Sequence, residues 1–239
     1  ATTLNDLIKG LDGDDVISAQ AGDDRVEAGE GNDVVHGDAG LDTLYGEEGD
    51  DILFGDDGND VLYGGVGDDQ QFGGAGDDLL KGSADDDLLD GGTGIDTVDY
   101  SGSVEGIALF LGFNAAGGFA AGDTLTNIEN VLGTRTHDLI IGDNGSNTFE
   151  GDLGRDYLNG QGGNDFLYGY NGYDIIEGGA GDDLIEGGRH DDVLTGGTGA
   201  DIFLMRGITH ADTINDFSKT EGDTLWLAEV IRFADLTIE

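Results

Sequence analysis

Through residues 1–99 an apolar side chain returns at every ninth position: Ile8, Ile17, Val26, Val35, Leu44, Leu53, Leu62, Leu80, Leu89 and Val98, with Gln71 as the one polar occupant. Two residues before each stands an aspartate: Asp6, Asp15, Asp24, Asp33, Asp42, Asp51, Asp60, Asp69, Asp78, Asp87 and Asp96. The pattern resumes over 133–204, where Asp138, Asn147, Asp156, Asp165, Asp174, Asp183, Asp192 and Asp201 precede Ile140, Phe149, Leu158, Leu167, Ile176, Ile185, Leu194 and Phe203. Self-similarity at a fixed period marks a repeat architecture. Within a unit such as Gly55 to Tyr63, positions seven to nine predict a short strand that sends the eighth side chain inward and its neighbours outward. Positions one to six predict a turn, in which glycine reaches the positive φ values that other residues resist. Two units make one flattened coil of 18 residues.

Coils stacked in parallel lie about 4.8 Å apart, which gathers the sixth-position carboxylates of the first block into two files. Asp6, Asp24, Asp42, Asp60, Asp78 and Asp96 share one edge, and Asp15, Asp33, Asp51, Asp69 and Asp87 the other. Such a file repels itself, so its members must protonate or take a cation between them. A hard dication that accepts six to eight oxygens in flexible geometry suits carboxylates mixed with backbone carbonyls, which describes Ca²⁺ rather than Mg²⁺ or Zn²⁺. The turn carbonyls that would complete the shell belong to glycines at positions two and four: Gly65, Gly67, Gly74, Gly76, Gly92, Gly94, Gly179, Gly181, Gly197 and Gly199.

Composition sharpens this reading. The chain of 239 residues carries 52 Asp and Glu against 9 Lys and Arg, a formal charge of -43, with 47 Gly, no Pro and no Cys. High charge with few apolar residues is the signature of disorder, and one aliphatic side chain per nine residues offsets little of the entropy lost on folding. The expectation is a chain expanded without Ca²⁺ and compact with it. Up to about 15 inter-coil ions would set +30 against the -43. Nucleic-acid binding needs a basic face, which nine scattered cations do not make. No apolar run approaches the length that spans a bilayer, and the absence of cysteine removes disulfides and thiolate metal sites. No cleavable secretory leader is read at Ala1, which suggests a mature segment or a fragment.

The nonapeptide G-G-x-G-x-D-x-U-x, as in Gly73 to Lys81 and Gly178 to Glu186, resembles the calcium-binding repeat of repeats-in-toxin (RTX) proteins. The resemblance implies an all-β, right-handed parallel β-roll, folded by extracellular Ca²⁺ in proteins exported by bacterial type I secretion. It divides the chain into a first roll block, 1–99; an interrupting segment, 100–132; a second block, 133–204; and a capping segment, 205–239. In the interruption, 107–111 and 125–132 read as strands around a loop from Gly112 to Gly122. The cap, with Asp212 to Phe217 and Gly222 to Leu227, is read as closing the last coil, and Glu239 as ending the chain in mid-strand without the family's C-terminal secretion signal.

Departures from the pattern weaken their own sites: Asn147 offers a neutral oxygen, Asp85 and His190 replace the fourth-position glycine, and Gln71 softens a core layer. The units 1–9 and 133–141 lack turn glycines and are expected to hold metal on one side only. His36, His137, His190 and His210 show no metallohydrolase spacing and read as surface residues. No nucleophile elbow or phosphate loop is present, and in so acidic a chain a pair of carboxylates at glycosidase distance carries no weight. Ninth-position Tyr45 and Tyr63, and Phe54 and Phe72, fall into two ladders, explained by stacking between coils or, alternatively, as a platform for sugar rings or a neighbouring domain. Together these readings give a monomeric, non-enzymatic, calcium-binding extracellular module of a secreted bacterial protein. The alternative is an accessory module of a secreted protease, lipase or polysaccharide-modifying enzyme, or of an adhesin, whose active domain lies outside this chain.

Overall fold

A computed structural model describes residues 4–113, 115–206, 210–227 and 237–238. The chain forms two compact units, one of residues 1–100 with 114–130, the other of 101–113 with 131–239. Among the described residues there is no α-helix, only one short 3-10 turn at Leu111–Phe113.

In the first unit successive strands go to alternate sheets. Leu7–Asp12, Arg25–Glu30, Thr43–Glu48, Val61–Val66, Leu79–Lys81 and Thr97–Asp99 lie side by side in one; Val16–Ser18, Val34–His36, Ile52–Asp57, Gln70–Ala75, Leu88–Thr93 and Thr124–Thr126 lie in the other. All pairings are parallel and register each residue with its equivalent one coil on, as Leu44 with Leu62 and Leu53 with Gln71. The second unit repeats the plan, with Ile175–Ala180 between Tyr157–Gly162 and Val193–Thr198, and Leu184–Arg189 between Phe166–Gly172 and Ile202–Met205. Each unit is therefore a parallel β-solenoid.

Many strands run longer than the three residues expected. In Val61–Val66 the chain stays extended through the first turn glycines, and exposure alternates along the first five residues before the exposed Val66. The expected inward column is the core: Val26, Val35, Leu44, Leu53, Leu62, Leu80, Leu89 and Val98 in the first unit, and Ile140, Phe149, Leu158, Leu167, Ile176, Ile185, Leu194 and Phe203 in the second, are fully buried. Ile8 and Ile17, at the N-terminal end of the stack, are only partly buried. Gln71 occupies its core position fully buried; its Nε2 donates to the Lys81 carbonyl at 3.0 Å, while its Oε1 has no partner.

The interruption supplies rungs to both units. Ile107–Phe110 lies beside Leu139–Ile141 in the second, and Thr124–Thr126 lies beside Leu88–Thr93 in the first. The run read as one strand from Leu125 to Leu132 is two, Thr124–Thr126 and Asn130–Leu132, and the loop after Gly112 contains the short strand Ala115–Gly118. In the cap, Thr213–Ile214 and Thr224–Leu227 continue the two sheets of the second unit. The chain end at Glu239 lies outside the described residues.

Candidate metal centre

The parallel register brings each sixth-position aspartate over its equivalent. The backbone N–H of each donates to Oδ1 of the aspartate one coil further on: Asp24 to Asp42 and Asp42 to Asp60 at 2.7 Å, Asp60 to Asp78 and Asp78 to Asp96 at 2.8 Å on one edge. On the other, Asp15 donates to Asp33, Asp33 to Asp51, Asp51 to Asp69 and Asp69 to Asp87 at 2.7 to 3.0 Å. Asp6 joins the first file through its N–H to Oδ1 of Asp24. The second unit builds the same ladders, from Asp138 through Asp156 and Asp174 to Asp192, and from Asn147 through Asp165 and Asp183 to Asp201. One charge-assisted bond thus satisfies one oxygen of each carboxylate that follows the first in its file.

The other oxygen is left over. Among the described residues, Oδ2 of Asp15, Asp24, Asp33, Asp42, Asp51, Asp60, Asp69, Asp78, Asp96, Asp156, Asp165, Asp174, Asp183, Asp192 and Asp201 is buried without a hydrogen-bond partner. Buried polar atoms are rarely left so, and a whole rank of them calls for a shared counter-charge. First-position glycines shape the space beside these oxygens. A Cβ on Gly55 would stand 2.6 Å from Asp60 Oδ2 and 2.5 Å from the carbonyl oxygen of Gly73, and one on Gly178 would stand 2.3 Å from Asp183 Oδ2 and 2.6 Å from the Gly196 oxygen. Carboxylate and carbonyl oxygens therefore converge beside the first-position Cα, a glycine in most units and an alanine, Ala19 or Ala28, in those of Asp24 and Asp33. Burial pushes Asp60 and Asp69 up to about 7 and Asp156 and Asp192 up to about 8; the N–H from the adjoining coil offsets part of this, and neighbouring carboxylates add to it.

An all-oxygen set of this kind, anionic yet lined by carbonyls, fits Ca²⁺. Among the described residues no three Asp, Glu or His side chains converge as a metal cluster, and an ion held here would have to draw on backbone carbonyls beside the carboxylates. Gly65, Gly67, Gly74, Gly76, Gly92, Gly94, Gly179, Gly181, Gly197 and Gly199 all adopt positive φ, between 97° and 145°. Position two tolerates other residues in that conformation, as Glu47, Asp56, Gln161 and Tyr170 show, whereas at position four only Asp85 and His190 do so. Bound calcium would supply fixed positive charge against the orphaned oxygens; the residues themselves orient one carboxylate oxygen toward the backbone and the other toward the cradle.

Several rungs lie outside the nonapeptide frame. Asp87 donates its N–H to Asp123 Oδ1, Asp96 to Glu129 Oε2, Asp192 to Asp212 Oδ1 and Asp201 to Asp223 Oδ1. A second ladder, at position five, runs in the opposite sense: the side-chain oxygens of Asn32 and Asp50 accept the N–H of Asp50 and Asp68 one coil on, and Asn59 accepts that of Asp77. The aromatic ladders stack face to face. Tyr45 and Tyr63 stand 4.5 Å apart with Arg25 over Tyr45, and His36 extends the pair Phe54 and Phe72 by one ring. His36 is thus a stacked rung bonded to Asp56, while His137 takes a rung of the position-five ladder by accepting the Arg155 N–H.

Comparison with known proteins agrees with the geometry. A family model described as the RTX calcium-binding nonapeptide repeat (4 copies) matches residues 1–35, 36–71, 72–98, 132–167, 141–176 and 168–203. No curated protein matches the chain. The repeat matches leave out 99–131 and the C-terminal segment and cover well over half of the sequence; with its ladders of buried aspartates, the chain belongs to the RTX family of calcium-binding nonapeptide-repeat proteins.

Proposed function

We propose that this chain is a calcium-folded, non-enzymatic module of a bacterial protein that leaves the cell unfolded by a type I route and folds outside it. The observation that carries this reading is the rank of buried, unpartnered Oδ2 atoms. A metal-free solenoid must hold these oxygens desolvated and mutually repelling, so low cytosolic calcium favours the open chain. Extracellular calcium, at which sites of about 10⁻⁴ to 10⁻³ M affinity fill, favours the coil. The family's typical setting in secreted bacterial proteins supports the route. An accessory role beside a catalytic or adhesive domain, and contact with a polysaccharide, are compatible with a module that supplies a folded scaffold and no reaction centre of its own. About 15 ions is the upper count on this reading.

Isothermal titration with Ca²⁺, followed in parallel by circular dichroism and light scattering, tests it. Multiple ions should bind as β signal appears and the radius falls to that of a monomer. A full β spectrum in excess chelator, or a compact chain that binds no calcium, would sink the proposal.

A further inference from the structure

Two turns treat their aspartate differently. In the unit 82–90, Ser83 and Asp85 replace the second- and fourth-position glycines. Ser83 donates to Asp87 Oδ2 through its hydroxyl at 2.8 Å and its N–H at 3.3 Å, while Asp87 Oδ1 accepts the Asp69 N–H at 3.0 Å. The next rung is closed as well: Asp123 Oδ1 accepts the Asp87 N–H, and its Oδ2 accepts the hydroxyl of the fully buried Tyr100 at 2.6 Å. Beside Gly82, where other first-position glycines face an open cradle, a Cβ would lie 2.0 Å from the Tyr100 ring. In the second unit, Thr134 donates its N–H to Asp138 Oδ2 at 2.7 Å and its hydroxyl to Oδ1 at 2.9 Å, and the Ile107 N–H reaches the same Oδ1 at 2.9 Å.

Resting on the calcium reading of the other turns, we propose that the Ser83–Asp87–Asp123–Tyr100 network and the Thr134–Asp138 turn are metal-free locks: protein donors stand where calcium stands elsewhere, and these rungs form without binding an ion. A carboxylate oxygen whose lone pairs face hydrogen-bond donors has little left for a cation, and a buried network whose members are all satisfied holds its geometry unaided. Around the first lock the core is also richer than one aliphatic side chain per unit, since Tyr100, Ala120, Leu125 and Ile128 are buried with Leu89 and Val98. In a stack where each coil depends on its neighbours, a coil that closes unaided is the seed on which calcium-dependent coils assemble.

The test counts ions and locates order. With calcium at saturation, Asp60→Asn should lower the bound count by at least one and Asp87→Asn should leave it unchanged. Ser83→Gly with Asp85→Gly, which restores the regular turn, should raise it by one. In chelator, hydrogen exchange should remain slow at Leu89, Val98 and Leu125 while Leu44, Leu53 and Leu62 exchange as an open chain. A calcium lost on Asp87→Asn, or equal exchange in both regions, would overturn the locks while leaving the calcium reading intact; a wild-type titration with no binding would overturn both.

Discussion

The turns Gly64 to Asp69 and Gly82 to Asp87 follow one another on the same edge of the first unit and make the same rung: each aspartate gives its N–H to the next carboxylate along. They differ in the four residues that lead into it. Gly-Gly-Val-Gly leaves Asp69 Oδ2 buried and unpartnered, whereas Gly-Ser-Ala-Asp turns a hydroxyl and an amide onto Asp87 Oδ2. The difference separates two functions that the repeat merges. The Asp-x-aliphatic triplet builds the ladder, and the glycine turn leaves one carboxylate oxygen in demand of a partner.

The largest expected effect follows from that demand. Burial raises four of the unpartnered aspartates furthest above the ordinary carboxylate value near 3.9, Asp60 and Asp69 to about 7 and Asp156 and Asp192 to about 8. The metal-free coil therefore binds protons that the open chain releases. Their stabilisation is complete below the open-chain value near 3.9 and is lost progressively as pH rises from there through the coil values of about 7 and 8. In chelator the chain should be expanded at pH 8 and gain β signal and compactness as the pH is lowered toward 4, as read by circular dichroism and small-angle scattering. With calcium present the sign reverses, because protons compete for the same oxygens: the calcium concentration at half-folding should rise as pH falls. A metal-free chain equally expanded at pH 4 and pH 8 would show that the orphaned oxygens are not what opens it.

Next in size is a single methyl group. Gly55 has no positive φ, so the cost of Gly55→Ala is steric alone: its Cβ would enter the cradle between Asp60 Oδ2 and the Gly73 carbonyl. We expect the loss of one calcium by titration and about 1 to 3 kcal/mol of stability in calcium, in contrast to the units of Asp24 and Asp33, whose backbone already accommodates the methyl groups of Ala19 and Ala28 at this position. Gly102→Ala, whose Cβ would meet no atom within 4 Å, should change neither. An unchanged ion count for Gly55→Ala would place the metal elsewhere in the turn.

How much of this was legible in sequence depends on distance along the chain. The coil, its inward column and the carboxylate files follow from a strict period of nine, because equal spacing in a parallel stack places like over like. The rungs outside the frame carried a weaker signal that was present nonetheless: Asp123-Thr124-Leu125, Asp212-Thr213-Ile214 and Asp223-Thr224-Leu225 repeat the Asp-x-aliphatic triplet, and Leu125, Ile214 and Leu225 pair with Leu89, Leu194 and Phe203. Glu129 carried no such signal, since a longer side chain reaches Asp96 across an irregular 33 residues. Nor did the meeting of Tyr100 with Asp123, which the fold alone arranges. First-position glycines were visible as letters, but their purpose emerged only when a carboxylate and a carbonyl were found facing the same Cα.

Gln71 offers a smaller test on the strand between the two turns. Read in sequence as a soft spot, it ties its amide to the carbonyl of Lys81, immediately before the turn from Gly82 to Asp87, and leaves its own Oε1 buried and unpartnered. Relief of an unsatisfied buried oxygen, at about 1 to 3 kcal/mol, outweighs the loss of one neutral hydrogen bond, at about 0.5 to 1.5 kcal/mol. Gln71→Leu should therefore stabilise the calcium-bound protein by about 1 kcal/mol in urea unfolding. Destabilisation of that size would mean that the tie to Lys81 is part of the lock.

The smallest effect belongs to the outer face, which neither kind of turn controls. Tyr63 stacks on Tyr45 with ring centroids 4.5 Å apart and planes 4° from parallel, and Arg25 covers the far face of the pair at 4.1 Å. Such a pair contributes about 0.5 to 1.5 kcal/mol beyond its burial. Tyr63→Ser should cost about 1 kcal/mol of stability in calcium, because the side chain is half-buried and its partner keeps the cation. The ladder touches no orphaned oxygen, so the number of ions bound should stay as in the wild type and only the calcium midpoint should shift. A changed count would mean that outer stacking fixes the geometry of the turns, and the division between ladder, turn and face drawn from Asp69 and Asp87 would have to be redrawn.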